Sequence, residues 1–461
     1  MNPEELQKTA YNALHDVPLE PTDPRYVPIY EESVFKDPVK RLKKHIELIE
    51  DEKVKEGKSV QFFSGFRGCG KTTELFRLRK ELQDSYYLVI YADALKYINH
   101  SNEIDITELL IILAGAFSDA LESHESIKTD IKIESYWTRF KNFLKTEVKI
   151  QEANVKTDLD FLGMAKTEAS IKLNLKDTPS FRKELRDKLS TRIGKLKENV
   201  HNFVRDGVSA IHSALNPNTQ IVFIFDSLEQ IRGSLLNQQA VIESVEQIFS
   251  HHHRLLELPG VHTIYTVPPW LKFVTMTDNA KPIVLLHSIK QWANNKSRTS
   301  HENGRKIFRK LVVKRFGEQG FEAFFGESCI AERTKADDLI DLCGGDLRVL
   351  LRLFRELILP AETFPITDDE IKAAIARVRG DFLPISDDDA FWLAKIDKNR
   401  DVSLPDVKSE NINRLTRFFD RNWVLYFRNG EDWYDIHPFI QKEVRKIVKR
   451  LQKTPLTKVE Q

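Results

Sequence analysis

Gly65-Phe66-Arg67-Gly68-Cys69-Gly70-Lys71-Thr72 is the stretch on which the reading of this chain turns. Glycines let a backbone close tightly around a small anion, with successive amide N–H groups pointing inward. A lysine and then a threonine follow the last glycine, which supplies a cation for phosphate oxygens and a hydroxyl for a divalent metal. The pattern has meaning only between a strand and a helix. Both are present: Ser59-Val60-Gln61-Phe62-Phe63-Ser64 is β-rich and apolar, and Thr72 to Leu82 has helical periodicity. These eight residues, with Thr73 behind them, predict binding of a nucleoside triphosphate, best matched by ATP with magnesium.

Working outward, Tyr86 to Ala92 is a second β-rich run, so the order is strand, helix, strand. Gln220 to Phe225 is a nearly continuous apolar strand that ends on Asp226. Val261 to Val267 is another, stopped by Pro268-Pro269, and Ile283 to Leu286 is a last short one. Apolar runs without alternation belong to strands covered on both faces. The expected fold class is therefore α/β, a P-loop NTPase-like three-layer sandwich with a mostly parallel sheet.

Domain limits follow from where these runs start and stop. Residues 1–35 form an N-terminal linker with one short helix, and 36–300 form the nucleotide-binding domain. An insertion spans 125–215 and is expected to mix helix with a β-like piece at Ala169-Ser170-Ile171-Lys172-Leu173-Asn174. Pro179 opens a long helix to about Leu215. Residues 301–378 read as a helical lid, in which Thr367 and Glu370 are spaced as a capping box. Residues 379–461 read as a winged-helix-like domain. In it, two aromatic strands flank Asn429-Gly430, a strong hairpin signal, and a basic helix follows His437-Pro438.

The formal charge of +1 over 461 residues excludes a wholesale nucleic-acid coat but not a local basic patch. Lys128 to Arg205 contains such an excess, 18 Lys/Arg against 11 Asp/Glu. It is either a solvated helical insertion or a docking surface for nucleic acid or a partner, with Tyr136, Trp137, Phe140 and Phe143 as the apolar contacts a protein would use. Three scattered cysteines make neither a disulfide framework nor a metal site. The acidic, polar N-terminus lacks a signal-peptide pattern, and Leu109 to Phe117 is too short to span a bilayer. A cytoplasmic location without membrane contact is expected.

Candidate chemistry concentrates on a few side chains. Lys71 is placed to reach the β- and γ-phosphates and Thr72 to hold magnesium. Asp226, at the carboxyl end of a core strand, is placed to hold the metal shell from the other side. Glu229, three residues on, either polarises the attacking water or faces the surface. Thr266, near the end of its strand, either touches the γ-phosphate or water or shows only the ordinary β-propensity of threonine. Arg348, after Gly344-Gly345-Asp346-Leu347, either reaches over the nucleotide from the lid or faces solvent. Cys69 is expected to point away from the phosphates.

On these motifs the chain, from about residue 20 to 455, resembles the AAA+ and STAND-like P-loop ATPases. It is most similar to the group around the origin-recognition-type and archaeal ATPases. The resemblance implies that Thr266 occupies a sensor-1 position and Arg348 a sensor-2 position. It also implies that the Asp23–Val27 segment, with Tyr26, lies over the adenine, and that His437 approaches the nucleotide in a closed state. One departure stands out: between Thr266 and Ile283 the sequence offers Lys272 and Lys281 but no arginine to complete a neighbour's site. The implied function is a regulatory or assembly ATPase that switches a protein partner or effector, in an antiphage or mobile-element setting. A DNA-binding initiator or loader, and a nucleotide-binding scaffold with little hydrolysis, are the alternatives. A homo-oligomer and DNA are both compatible partners.

Overall fold

The computed structural model describes residues 3–30, 37–125, 127, 133–148, 165–234, 236–274, 281–295, 297–406, 408–428 and 430–453. The chain divides into two compact units. One comprises Arg41–Ser64 and Leu78–Val284, the other Met1–Lys40, Gly65–Arg77 and Leu285–Gln461.

The first unit is organised by a sheet. Its strands are β1 (Val60–Gly65), β2 (Leu88–Asp93), β3 (Ile221–Asp226), β4 (His262–Thr266) and β5 (Ile283–Leu286). They are arranged in the order β2-β3-β4-β1-β5. β2 with β3, β3 with β4 and β4 with β1 all pair parallel. The carboxyl ends of β1, β4, β3 and β2 therefore lie along one edge. Every residue of β1 and β3 is buried, which explains the unbroken apolar run of β3 and gives the α/β fold predicted; β1 also buries Gln61 and Ser64, whose side chains donate to the Leu42 and Val267 carbonyls. The helix Ile106–Ser123 starts at Asp105, whose carboxylate accepts the Thr107 amide, and buries Leu109 through Ser118. It packs against β2 and against helices of the 125–215 segment.

Two expectations for that segment are corrected. Residues 169–174 are not β-like: they lie in the helix Glu168–Asp177, opened by a capping box between Thr167 and Ser170. Ile171 and Leu175, four apart, are buried, while Leu173 is exposed, so the alternation seen in sequence is one flank of a helix. The long helix from Pro179 is two helices, Pro179–Leu189 and Ile193–Ala214, with a 3₁₀ turn at Ser190–Arg192 before Gly194.

Three of the four aromatic residues proposed for docking are core, and Phe143 is half-buried. Tyr136, Trp137 and Phe140 are fully buried. Trp137 lies where any side chain on Gly115 would stand, and its indole N–H donates to Asp119 (2.9 Å). Much of the positive charge is paired inside the unit: Arg182 and Arg186 with Glu108, Arg192 and Lys195 with Glu147, Lys172 with Asp119. Lys145 is exposed, and Lys149 and Lys156 lie outside the described residues.

The second unit contains the N-terminal helix Pro3–Ala13, the start of the Lys71–Asp84 helix, and a run of helices after β5. Glu302–Phe316, Glu318–Phe325, Lys335–Cys343, Leu347–Ile358 and Asp368–Gly380 make this stretch helical, as predicted. The Thr367–Glu370 capping box forms. Helices Asp387–Asn399 and Ser409–Asp420 follow, then the antiparallel pair β6 (Val424–Arg428) and β7 (Asp432–Ile436), then the helix Pro438–Lys453. The hairpin matches its Asn-Gly signal, although Asn429 lies outside the described residues. Asp435, fully buried on β7, is held by the Trp292 indole N–H and by Arg298 and Arg400. Among the described residues no helix is long and apolar enough to cross a membrane.

Candidate nucleotide site

β1 ends at Gly65, and the glycine loop continues directly from that edge. Gly68 and Gly70 have φ of +83° and +88°, which only glycine adopts without strain. Gly68 is doubly required. A Cβ there would stand 2.5 Å from Asp346 Oδ1 and 2.8 Å from Arg348 Cβ. The residues preceding and opening the helix Leu347–Ile358 thus press on the loop. Lys71 is buried, and its ammonium donates to the carbonyls of Gly65 (2.9 Å) and Phe66 (3.3 Å). The lysine is held in the mouth of its own loop, where an anion would compete for it. Cys69 is buried, Arg67 exposed and Thr72 half-buried. The Thr73 hydroxyl accepts the Leu19 amide at 3.1 Å.

Two contacts of the loop are invisible in the motif. The Tyr30 hydroxyl lies 3.0 Å from the Cys69 carbonyl and 2.7 Å from that of His287, and its one hydrogen serves one of them at a time. Burial drives this phenol well above its ordinary pKa, so it remains a donor. Phe66 is enclosed by the C-terminal residues Phe419 (ring centroids 4.6 Å apart, edge-on) and Tyr426 (5.7 Å, stacked).

Along the carboxyl edge of the sheet, Asp226 is fully buried. Its Oδ2 accepts from the Tyr91 hydroxyl at 2.9 Å and its Oδ1 from the Ser227 amide at 2.7 Å. Ser227 has φ +72°, a left-handed conformation that is strained for serine and turns its amide back to the preceding carboxylate. The next amide, Leu228 N–H, donates to Thr266 Oγ1 at 3.1 Å. Thr266, buried at the end of β4, therefore fixes the turn that carries Glu229. Asp226, Glu229 and Thr266 are thus assembled by one short piece of backbone.

Other predicted residues are placed differently. Arg348 is an ion pair with Asp16 in the N-terminal segment. Tyr26 is half-buried beside a turn in which Asp23 binds the Arg25 side chain and amide, which holds the Asp23 carboxyl down at about 2. His437 is fully buried between Phe382 and Phe439, its Nδ1 accepting the Phe439 amide, and burial lowers its pKa to about 3. It is a neutral core histidine in this arrangement. Lys281 pairs with Glu257 at 3.3 Å.

The donor chemistry suits magnesium. Thr72 offers a hydroxyl and Asp226 a carboxylate, both hard oxygen donors. Among the described residues no cluster of three or more His, Cys, Asp or Glu side chains forms a metal cage. Magnesium that arrives on nucleotide phosphates keeps its waters and needs few protein oxygens, and each of these two side chains is of a type that can supply one.

Three solved structures align with this chain over most of its length, at low identity and low TM-score. A Walker-type ATPase of Pyrococcus abyssi aligns at 12% identity and TM-score 0.39, covering 94% of this chain and 99% of its own. Cdc6p from Pyrobaculum aerophilum aligns at 9% and 0.35, covering 95% and 98%. The Aeropyrum pernix ORC2 protein in its ADP form aligns at 9% and 0.40, covering 96% and 98%. No protein-family model and no curated sequence matches the chain.

Proposed function

We propose that the chain binds and hydrolyses ATP with magnesium and uses the nucleotide to set the position of its C-terminal residues, acting as a switch on a protein partner. The observation that carries this reading is Phe66. It is part of the phosphate-binding loop, and it is packed between Phe419 and Tyr426 of the winged-helix-like region. A loop that tightens around phosphates has to move that ring or be held by it.

In this reading Lys71 leaves the Gly65 and Phe66 carbonyls for the β- and γ-phosphate oxygens. Thr72 and Asp226 would hold the magnesium shell, and a bound magnesium would supply positive charge against the phosphates. Glu229 orients the attacking water from the turn fixed by Thr266, and Arg348 reaches the nucleotide once it leaves Asp16. Lys71→Ala tests the proposal. Calorimetry with a non-hydrolysable ATP analogue is expected to show binding sharply weakened in a chain that still melts cooperatively. Equal affinity for both proteins overturns it.

A second reading, an ATPase that also grips nucleic acid, has its own observation. On the helix Pro438–Lys453, Phe439, Ile440, Val444 and Ile447 are buried, while Lys442, Arg445, Lys446, Lys449, Arg450 and Lys453 form an exposed cationic stripe. A surface hollow is lined by five of these cations, Arg445 through Lys453. Such a stripe matches a phosphate backbone.

A further inference from the structure

Tyr91 is on β2, the edge strand of the sheet. In the register of β2 and β3, Tyr91 faces Ile224 and Asp93 faces Asp226. Tyr91 therefore lies two residues below the carboxylate, on the same sheet face, and its long side chain spans the diagonal. Asp93, directly beside Asp226 in the ladder, is committed elsewhere: its carboxylate caps the following 3₁₀ turn by accepting the Leu95 amide at 3.0 Å. The Tyr91 ring is steadied by the Arg79 guanidinium, 5.7 Å from its centroid.

The torsion that turns an aspartate's carboxylate plane is soft, because an sp³–sp² bond has no sharp staggered wells. A metal shell needs that plane in one orientation. Here a donor stands at each oxygen, the Tyr91 hydroxyl at Oδ2 and the Ser227 amide at Oδ1. The Ser227 donor is backbone and comes with a strained φ. The Tyr91 donor is the side-chain half of the clamp and can be removed by one atom.

We propose that Tyr91 is a positioning residue for Asp226, fixing the orientation in which that carboxylate meets the hydrated magnesium of a bound nucleoside triphosphate. This rests on the reading of Asp226 as a holder of the metal shell. Tyr91 itself touches neither metal nor phosphate. Donors that orient metal-binding carboxylates typically matter about 10–100-fold in metal affinity or activity.

The test is Tyr91→Phe, which deletes the hydroxyl and keeps the ring. Binding of a non-hydrolysable ATP analogue is followed by calorimetry, first in EDTA and then in a magnesium titration. The expected result is unchanged analogue affinity in EDTA, with the magnesium midpoint raised at least about tenfold. Tyr91→Leu removes ring and hydroxyl together and separates packing from positioning. If the ring alone matters, Leu lowers the melting temperature while Phe keeps the parent magnesium midpoint, and the proposal fails. If parent protein binds the analogue with no magnesium dependence, the Asp226 reading fails first and Tyr91 loses its role with it. If the parent depends on magnesium and Tyr91→Phe does so identically, only the Tyr91 inference falls.

Discussion

The ring of Phe66, second residue of the glycine loop, stacks on the ring of Tyr426 in β6, with centroids 5.7 Å apart and planes 19° from parallel. Aromatic pairs of this kind are worth about 0.5–1.5 kcal/mol beyond their buried area. Phe66→Ala, Tyr426→Ala and the double variant form a cycle that isolates the contact. The expected coupling in unfolding free energy is within that range, and it is expected to shrink when ATP analogue is bound. A coupling near zero without nucleotide would show that the stacked rings carry no energy between loop and hairpin.

Arg348 and Asp16 offer a second measurement, because the pair competes with the role proposed for the arginine. Their side chains are 39% and 42% exposed, so the pair is worth only about 0.2–1 kcal/mol. Asp16→Asn releases Arg348 and is expected to tighten ATP binding by at most about fivefold. Arg348→Ala is expected to weaken binding or slow turnover. Opposite signs for the two variants, read by calorimetry and phosphate release, place the arginine at the nucleotide. If Arg348→Ala leaves both quantities unchanged, Arg348 serves only the N-terminal segment.

What could be read in the sequence follows from the range of each interaction. The glycine loop was legible as a tight turn because the positive φ of Gly68 and Gly70 demands glycine within a short span of sequence. β3 was legible because burial on both faces forces an unbroken apolar run. The hairpin was legible through Asn429-Gly430. Residues 169–174 misled because Ile171 and Leu173 alternate with polar neighbours, and only the burial of Ile171 with Leu175 reveals a helix. The aromatics from Tyr136 to Phe140 resembled a docking patch because nothing local says that Gly115 leaves room for Trp137. Tyr30, Tyr91 and Asp16 went unnoticed for the same reason. Their partners at the site are 39, 135 and 332 residues away, and no local pattern encodes a contact at that distance.

Asp346 gives a pH prediction. It caps the helix Leu347–Ile358 by accepting the Val349 amide, its other oxygen accepts from Asn422, and burial pushes its carboxyl up to about 6. A raised folded-state pKa favours folding while the group is protonated. That contribution is complete below about pH 4, the ordinary carboxylate value, and is lost as pH rises to about 6. Asp346→Asn keeps a capping oxygen, and Asn422 can present its amide oxygen to the new amide after a flip. The variant is expected to lack this loss, so its melting temperature relative to the parent rises from pH 4 to pH 6. A constant difference across the window would contradict the raised carboxyl.

The cationic stripe of the last helix supplies a prediction that separates the two functional readings. Parts of it are already compensated: Arg445 pairs with Asp397, Arg450 with Asp387, and Lys446 with Glu443. Lys442, Lys449 and Lys453 are exposed and carry no ion pair among the described residues, and of these Lys449 and Lys453 line the hollow, so they are the charges tested against a polyanion. Each phosphate neutralised on duplex DNA releases counterions and contributes a slope of about −0.9 to the plot of log affinity against log salt. Lys449→Gln with Lys453→Gln is therefore expected to weaken duplex binding uniformly across sequences and to make the slope shallower by about 1.8. The buried face of the helix is untouched, so melting temperature should hold. Fluorescence anisotropy with two unrelated duplexes across a salt series reads both effects. An unchanged slope would remove the stripe from any nucleic-acid contact, and absence of duplex binding in the parent chain would leave the protein-partner switch as the surviving reading.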